Sequence, residues 1–201
     1  FRYWREHGAG WAAEYTRRKK QQVLYHIQEI RLTEYIAHRA PARVLEFGCG
    51  PGRHLRNLRQ IEGVDVHGFD QSATMVSGCA TWADHAWIKD HITVGEPIGR
   101  LPFDDNAFDI VYSAEVLVHV SPEHLPGVLQ ELLRIANREV FQLETSPGYN
   151  LVGQEHGGCW YHDLPAAYEK LGRACEILPR GYEVHTPYRV RLDEAATAWS
   201  W

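Results

Sequence analysis

The sequence predicts an α/β fold, a mostly parallel sheet with helices on both faces. Three observations carry that prediction. Short apolar runs alternate with stretches of helical periodicity from about residue 43 onward. The first run, Val44-Leu45-Glu46-Phe47, passes directly into Gly48-Cys49-Gly50-Pro51-Gly52, which reads as a buried strand entering a tight turn ahead of a helix. The second run, Val64-Asp65-Val66-His67-Gly68-Phe69-Asp70, ends in an acid. Open sheets of this kind bind ligands outside the carboxyl ends of their strands, so both run-ends are candidate site positions.

Residues from about Thr16 to His38 read as one long helix. Val23, Ile27 and Ile30 recur at helical spacing, Leu24 and Ile36 widen the stripe, and Ala40-Pro41 closes it. Strands are expected at about 43–47, 65–69, 91–94, 108–113, 138–144, 174–178 and 184–191. Helices are expected between them, at about 53–60, 72–82, 122–136 and 163–171. Gly181 suits a hairpin between the last two strands, which would make the final strand antiparallel. The expected organisation is a helical cap over residues 1–40, one domain over 41–194 and a tail over 195–201, with no internal repeat.

Composition bounds the function. With 201 residues, 44% apolar and 23% charged, the chain has the balance of a globular domain able to bury a full core. A net charge of −5 argues against a general grip on nucleic acid. The basic clusters at Arg17-Arg18-Lys19-Lys20 and from Arg53 to Arg59 read as solvated helix faces. No apolar run approaches the ~20 residues of a membrane span, so no membrane partner is expected. Cys49, Cys79, Cys159 and Cys175 lack C-x-x-C spacing and suggest a reduced, cytoplasmic protein with free thiols. The opening Phe1-Arg2-Tyr3-Trp4-Arg5 has no signal-peptide pattern and reads as a trimmed terminus.

The glycines narrow the ligand. Alternate glycines allow a sharp backbone turn and a close approach to a bound molecule. Such a turn is expected to leave N–H groups at the mouth of a helix, suited to a carboxylate or phosphate. A dinucleotide fingerprint would require glycine at position 53, where Arg53 stands, and this disfavours a nucleotide-linked dehydrogenase.

The order acid-x-Gly-x-Gly-x-Gly over Glu46 to Gly52 resembles the first motif of the class I S-adenosylmethionine (SAM) dependent methyltransferases. Three further landmarks follow in that family's order. They are Asp70 with Gln71-Ser72-Ala73-Thr74-Met75, then His91-Ile92-Thr93-Val94-Gly95-Glu96, then Leu101-Pro102-Phe103 with the Phe108-Asp109 run. The resemblance covers about Arg43 to Thr145 and implies a Rossmann-like seven-stranded sheet. It also implies SAM as cofactor, with S-adenosylhomocysteine (SAH) as product. By it, Glu46, Gly48, Cys49, Gly50 and Gly52 shape the cofactor loop, Asp70 and Gln71 meet the ribose, and Met75 lies against the adenine or simply fills the core. Glu96 stands where the family has aspartate. Pro97 stands where the family has an alanine that donates its N–H, and proline has none to give, so Ile98 is the alternative donor. Ser113 and Ala114 are placed beside the methionine part of the cofactor.

Methyl transfer is an in-line displacement that depends on alignment and exclusion of water. It needs a base where the acceptor must first lose a proton. His119, His156 and His162 are the candidates, with Glu144 at the end of the fifth strand. The segment Gly153 to Asp163 reads as an acceptor-binding lid, with Trp160 and Tyr161 shaping the pocket and Asp163 capping the next helix. Glu115, and Tyr15 in the N-terminal segment, are the other acceptor-lining candidates. Glu144, His156, Cys159 and His162 could also gather around a metal, two histidines and a carboxylate being a known open-site set; their spacing is not diagnostic, and a divalent ion is the less favoured reading. The reading is a SAM-dependent methyltransferase moving a methyl group to oxygen or nitrogen of a small-molecule acceptor. The alternatives are a non-catalytic SAM-binding partner subunit and a methyltransferase with a protein acceptor; no oligomeric state follows.

Overall fold

The computed structural model describes residues 2–145, 155–156, 159–179 and 185–192. It divides into two compact units, Phe1–Pro97 and Ile98–Trp201.

The first unit contains α1 (Arg2–Gln21), α2 (Val23–Ala37), β1 (Ala42–Phe47), α3 (Leu55–Leu58), β2 (Val64–Asp70), α4 (Ala73–Val76), α5 (His85–His91) and β3 (Ile92–Val94). A 3₁₀ turn over Ser77–Thr81 continues from α4. β1 and β2 pair in parallel with Glu46 opposite Gly68, and β2 and β3 pair in parallel with Asp70 opposite Val94. Val44, Leu45 and Phe47 are buried with Phe69, and the Phe47 and Phe69 rings stack with centroids 5.7 Å apart. Gly68 has a packing reason. A Cβ there would lie 2.7 Å from Cys49 Sγ and 2.8 Å from Leu55 Cδ1.

The single long helix expected over 16–38 is two helices. Gln22 between them is extended, with φ −127° and ψ 113°. Helix α1 begins well before Thr16, a start that Gly8 and Gly10 obscure in the sequence. Gly8 seats α1 on the start of α4, because a Cβ there would lie 2.7 Å from Ser72 Oγ and 2.8 Å from Met75 Cγ. Two other helices are shorter than expected: 53–60 contracts to α3, and 72–82 becomes α4 plus the 3₁₀ turn. Helix α5 was not expected; Asp84 caps it, its Oδ1 accepting from Trp87 N at 2.8 Å.

The second unit contains β4 (Phe108–Ala114), a 3₁₀ turn (Leu117–His119), α6 (Leu125–Ile135), β5 (Ala136–Thr145), β6 (Glu155–His156), β7 (Cys159–Trp160), α7 (Leu164–Glu169), β8 (Glu176–Ile177) and β9 (His185–Arg191). β4 and β5 are parallel, while β9 runs antiparallel to both β5 and β8. The seven-stranded sheet therefore runs β3-β2-β1 in the first unit and β4-β5-β9-β8 in the second, mostly parallel with an antiparallel final strand. Gly181, the glycines of the expected lid and the tail over 195–201 lie outside the described residues. Within the expected lid, β6 and β7 pair antiparallel, with His156 opposite Cys159.

Helix α6 buries Leu125, Val128, Leu129, Leu132 and Ile135, spaced by three and four residues so that they form one stripe. Its Arg134 holds the segment before β4. The guanidinium donates to Leu101 O at 3.2 Å, Phe103 O at 2.9 Å and Asp105 Oδ1 at 2.7 Å.

Candidate functional site

In the first unit, the turn after β1 adopts the left-handed conformation three times, with φ of 77° at Gly48, 52° at Gly50 and 72° at Gly52. Residues with a Cβ rarely adopt such angles. The turn closes back on β2. Gly48 N and Cys49 N donate to Phe69 O at 2.7 and 3.0 Å, Gly52 N donates to Cys49 O at 2.9 Å, and Gly50 N donates to Asp70 Oδ2 at 2.8 Å. This corrects the expectation of free loop amides. Pro51 has none to offer, and the four glycine and cysteine amides are spent inside the protein, as buried donors must be. What the loop can present to a ligand is bare backbone at close range.

The loop is backed by side chains. Trp82 Nε1 donates to Pro51 O at 2.9 Å, and a Cβ at Gly52 would lie 2.3 Å from Trp82 Cζ2. The Cys49 and Cys79 thiols approach Gly50 O at 3.9 and 3.8 Å. Burial holds both as thiols, pushing Cys79 up to about 12. They pack; they are not poised as nucleophiles.

Asp70 stands at the end of β2 with both oxygens engaged, Oδ2 by Gly50 N and Oδ1 by Ser72 N at 2.8 Å. Burial raises its pKa above the usual carboxylate value, against the opposing pull of those amides. A carboxylate offers about four lone-pair sites, so two amides leave acceptor capacity for a ribose diol. Gln71 is half-buried beside it. Met75 lies over the loop, its Cε 3.1 Å from where a Gly50 Cβ would sit.

Glu46 is turned inward. Its Oε1 accepts from His54 Nδ1 at 2.7 Å, and both side chains are nearly fully buried. Burial keeps His54 neutral by lowering its pKa. Glu46 thus fastens β1 to the start of α3. Glu96 is exposed and Pro97 buried in the first unit, and Ile98, opening the second, is 43% exposed. Tyr15 belongs to an aromatic ladder with Trp11 and Tyr25, at centroid distances of 5.6 and 5.8 Å. The Arg53 guanidinium, one residue past the glycine turn, lies over the Tyr15 and Tyr25 rings and donates to Gln28 Oε1.

In the second unit the chemistry gathers where β4 and β5 end and β9 begins. Glu144 is buried, and its carboxylate accepts from Ser113 Oγ at 2.7 Å, from Val116 N at 3.1 Å and from Leu117 N at 3.1 Å. Burial, reinforced by the nearby Glu115 charge, pushes Glu144 up to about 8. Ala114 precedes Glu115, whose φ of 58° is left-handed without glycine's freedom. Strain of this kind, of order 1–3 kcal/mol, clusters at functional sites. Thr145 Oγ1 donates to the Glu115 carboxylate at 2.9 Å, and His185 Nε2 lies 3.3 Å from Glu115 Oε1.

The sequence candidates separate into distinct roles. His119 Nδ1 contacts Cys159 Sγ at 3.7 Å, and the Cys159 thiol is raised by burial and by the Glu115 charge. His162 is buried and points Nε2 at Leu117 O and Val120 O, at 3.0 and 2.9 Å. That nitrogen donates, and burial lowers the ring's pKa, so His162 braces the 3₁₀ turn. Trp160 and Tyr161 are half-buried. The His156 side chain lies outside the described residues. Among the described residues no group of three or more His, Cys, Asp or Glu is arranged to hold a metal ion. His185, which the sequence reading did not single out, opens β9 opposite Thr145.

An open sheet with a glycine turn after its first strand and an acid closing its second is a ligand-binding α/β domain of the nucleoside-holding kind. Residues 44–139 match the family described as Methyltransferase domain, and the fold is shared with solved methyltransferases. The chain is 32% identical over 110 residues to a sterol 24-C-methyltransferase of Schizosaccharomyces pombe, covering 52% of this chain and 29% of that protein. It is 29% identical over 138 residues to a malonyl-[acyl-carrier protein] O-methyltransferase of Halorhodospira halophila, covering 68% and 42%. The magnesium protoporphyrin IX methyltransferase of Synechocystis, solved with bound SAH, shares the fold with a TM-score of 0.65 at 17% identity over 85% of this chain and 84% of that one. The chain spans well under half the length of these two curated relatives, 29% and 42%.

Proposed function

We propose that this chain is a SAM-dependent methyltransferase whose acceptor is the oxygen or nitrogen of a small molecule. The observation that carries the reading is the clasp of Gly50 N on Asp70 Oδ2, which sets a bare glycine corner beside a carboxylate with spare acceptor capacity. Gly48, Gly50 and Gly52 admit the close approach of the cofactor, Asp70 with Gln71 takes its ribose hydroxyls, and Met75 lies against its adenine. Glu96 and the Ile98 amide are the remaining adenine candidates, and Ser113 and Ala114 those for the methionine part. When bound, SAM supplies an electrophilic methyl group on a sulfonium centre. Helices α1 and α2 act as a cap for the first unit, seated through Gly8 and tied to the glycine turn through Arg53. Glu115, Trp160 and Tyr161 serve the acceptor.

The relatives named above act on a sterol carbon and on a carrier-bound malonyl oxygen. The polar groups around Glu115 favour an acceptor with an O–H or N–H over an apolar one, since buried polar groups left facing an apolar ligand cost free energy. Calorimetry with SAM and SAH, followed by transfer of a labelled methyl group to phenol, amine and sterol probes, tests the proposal. Binding of SAH with methylation of a phenol or amine is the expected result; a chain that binds neither SAM nor SAH ends the reading.

A further inference from the structure

Charge is divided unevenly along this chain. Residues 1–60 carry twelve Lys and Arg against five Asp and Glu, whereas residues 61–201 carry nine against twenty-one. A local basic surface on an acidic protein steers acidic partners towards itself. In the first unit the excess gathers where α1 passes into α2. Arg17 and Arg18 share the one carboxylate of Glu14, at 2.5 and 2.7 Å. Lys19 Nζ lies 2.6 Å from Glu29 Oε2, and Lys19 O lies 3.0 Å from His26 Nε2, so the end of α1 runs beside α2. Lys20 and His26 are exposed, and no ion pair joins Lys20 to an acid among the described residues.

The same corner has an apolar centre. Val23 is 71% and Ile30 66% exposed, the highest exposures of any large apolar side chains among the described residues. Seven residues apart, they stand on one face of α2, about 10 Å apart along its axis, with half-buried Ile27 between them. The buried residues of α2, Gln28, Glu29, Leu32, Tyr35 and Ile36, occupy the opposite face. An apolar stripe bordered by cationic side chains complements a helix whose own apolar stripe is bordered by carboxylates, as in the seam of a coiled coil. Glu34, exposed one turn beyond Ile30, decides between acidic partners. A helix can set a cation or a small polar residue opposite that carboxylate, whereas an anionic lipid surface brings it only like charge.

We propose that the exposed face of α2 around Val23 and Ile30, with the basic end of α1 beside it, docks an acidic amphipathic helix of another protein. The proposal goes beyond the methyltransferase reading and does not depend on it.

The probe is a three-heptad synthetic helix with leucine at its a and d positions and glutamate at e and g, compared with a scrambled peptide of the same composition. Amide NMR of the full chain is expected to show shifts confined to α2 and the end of α1, with the scrambled peptide inert and added salt weakening the complex. Val23→Ala/Ile30→Ala, which keeps good helix formers at exposed positions, should weaken binding by about tenfold or more. Lys20→Glu should weaken it by about three- to fivefold. Absence of binding, equal binding of the scrambled peptide, or unchanged affinity in Val23→Ala/Ile30→Ala overturns the proposal. Two rival occupants are measured alongside. Tighter binding to vesicles of phosphatidylserine and phosphatidylcholine in equal parts, lost in Val23→Ala/Ile30→Ala, gives the face to lipid and defeats the proposal. Sedimentation that shows a dimer of the chain, dissociated by the same variant, gives it to a second copy and defeats it equally.

Discussion

Gly50 donates its backbone N–H to Asp70 Oδ2 at 2.8 Å, and this bond fastens the glycine turn after β1 to the acid that ends β2. The other Asp70 oxygen accepts from Ser72 N at 2.8 Å, two residues on. One buried carboxylate therefore organises both walls of the proposed cofactor site before any ligand arrives. Preorganisation of this sort reduces what binding must spend on ordering the protein.

Replacing Asp70 by alanine strands two buried amides and removes the ribose acceptor together. The stranded amides are expected to cost about 1–3 kcal/mol of stability, and SAH affinity should fall by a similar amount. Asp70→Asn keeps one oxygen acceptor and should lie between wild type and Asp70→Ala in both quantities. Urea unfolding and calorimetry with SAH measure them separately. Full affinity in Asp70→Ala would remove the carboxylate from the cofactor site, whatever happened to stability.

The glycines of the turn are not equivalent to glycines elsewhere. Gly52→Ala places a Cβ in a left-handed residue 2.3 Å from the Trp82 ring, which cannot move away without breaking its bond to Pro51 O. Overpacking together with the strained backbone is expected to destabilise by roughly 2–4 kcal/mol. Gly10, exposed in α1 with nothing within 4 Å of its Cβ position, gives the opposite expectation. Gly10→Ala should stabilise by about 0.5–1 kcal/mol, because alanine loses less backbone entropy in a helix. Denaturant midpoints for the two variants should move in opposite directions, and a neutral Gly52→Ala would contradict the packing argument.

The contrast between those glycines shows what a sequence discloses. Strands β1, β2, β4 and β5 were legible because their apolar runs end at glycines or acids, signals local to a few residues. The order acid-x-Gly-x-Gly-x-Gly located the turn, but not the fate of its amides, which depends on Phe69 O and Asp70 reaching back from another strand. The motif placed Glu46 with the cofactor-loop residues but did not disclose its bond to His54. That bond becomes visible only once the chain has folded back. The break at Gln22 was hidden because residues 16–22 hold neither glycine nor proline to mark it.

Glu144 makes stability depend on pH in a definite direction. Its folded value, raised to about 8 by burial and the Glu115 charge, exceeds the ordinary carboxylate value, so between those limits the native state holds a proton that the unfolded chain releases. Stability contributed at this position is then greatest at low pH and declines as pH rises through that window. Glu144→Gln, which keeps an acceptor oxygen for Ser113 Oγ or the Val116 and Leu117 amides, should flatten the decline. Chemical unfolding at pH 5, 6, 7 and 8 for both proteins checks the sign. An identical slope in Glu144→Gln would show that the carboxyl does not hold its proton in the native state.

Arg134 supports the segment that leads into β4, the strand that carries Ser113, and it does so with geometry that lysine cannot copy. Its planar fork reaches the Leu101 and Phe103 carbonyls together with Asp105 and Glu131, while Glu131 Oε2 accepts from Leu101 N at 2.8 Å. A lysine ammonium is a point charge and satisfies at most part of that set. Arg134→Lys is expected to lower stability by about 1–3 kcal/mol, chiefly through carbonyls left without a charged donor. The hydrogen bond from Arg134 also holds Glu131 below the usual carboxylate value. That stabilisation is present above the unfolded carboxylate value and is lost as pH falls through the lowered one. Acid unfolding should therefore be shallower in Arg134→Gln than in the wild type. Since the guanidinium is only 14% exposed, added salt should recover little of the difference between them. A variant whose acid limb and urea midpoint both match wild type would mean that the segment before β4 is held by its apolar contacts, Leu101 and Phe108 first among them.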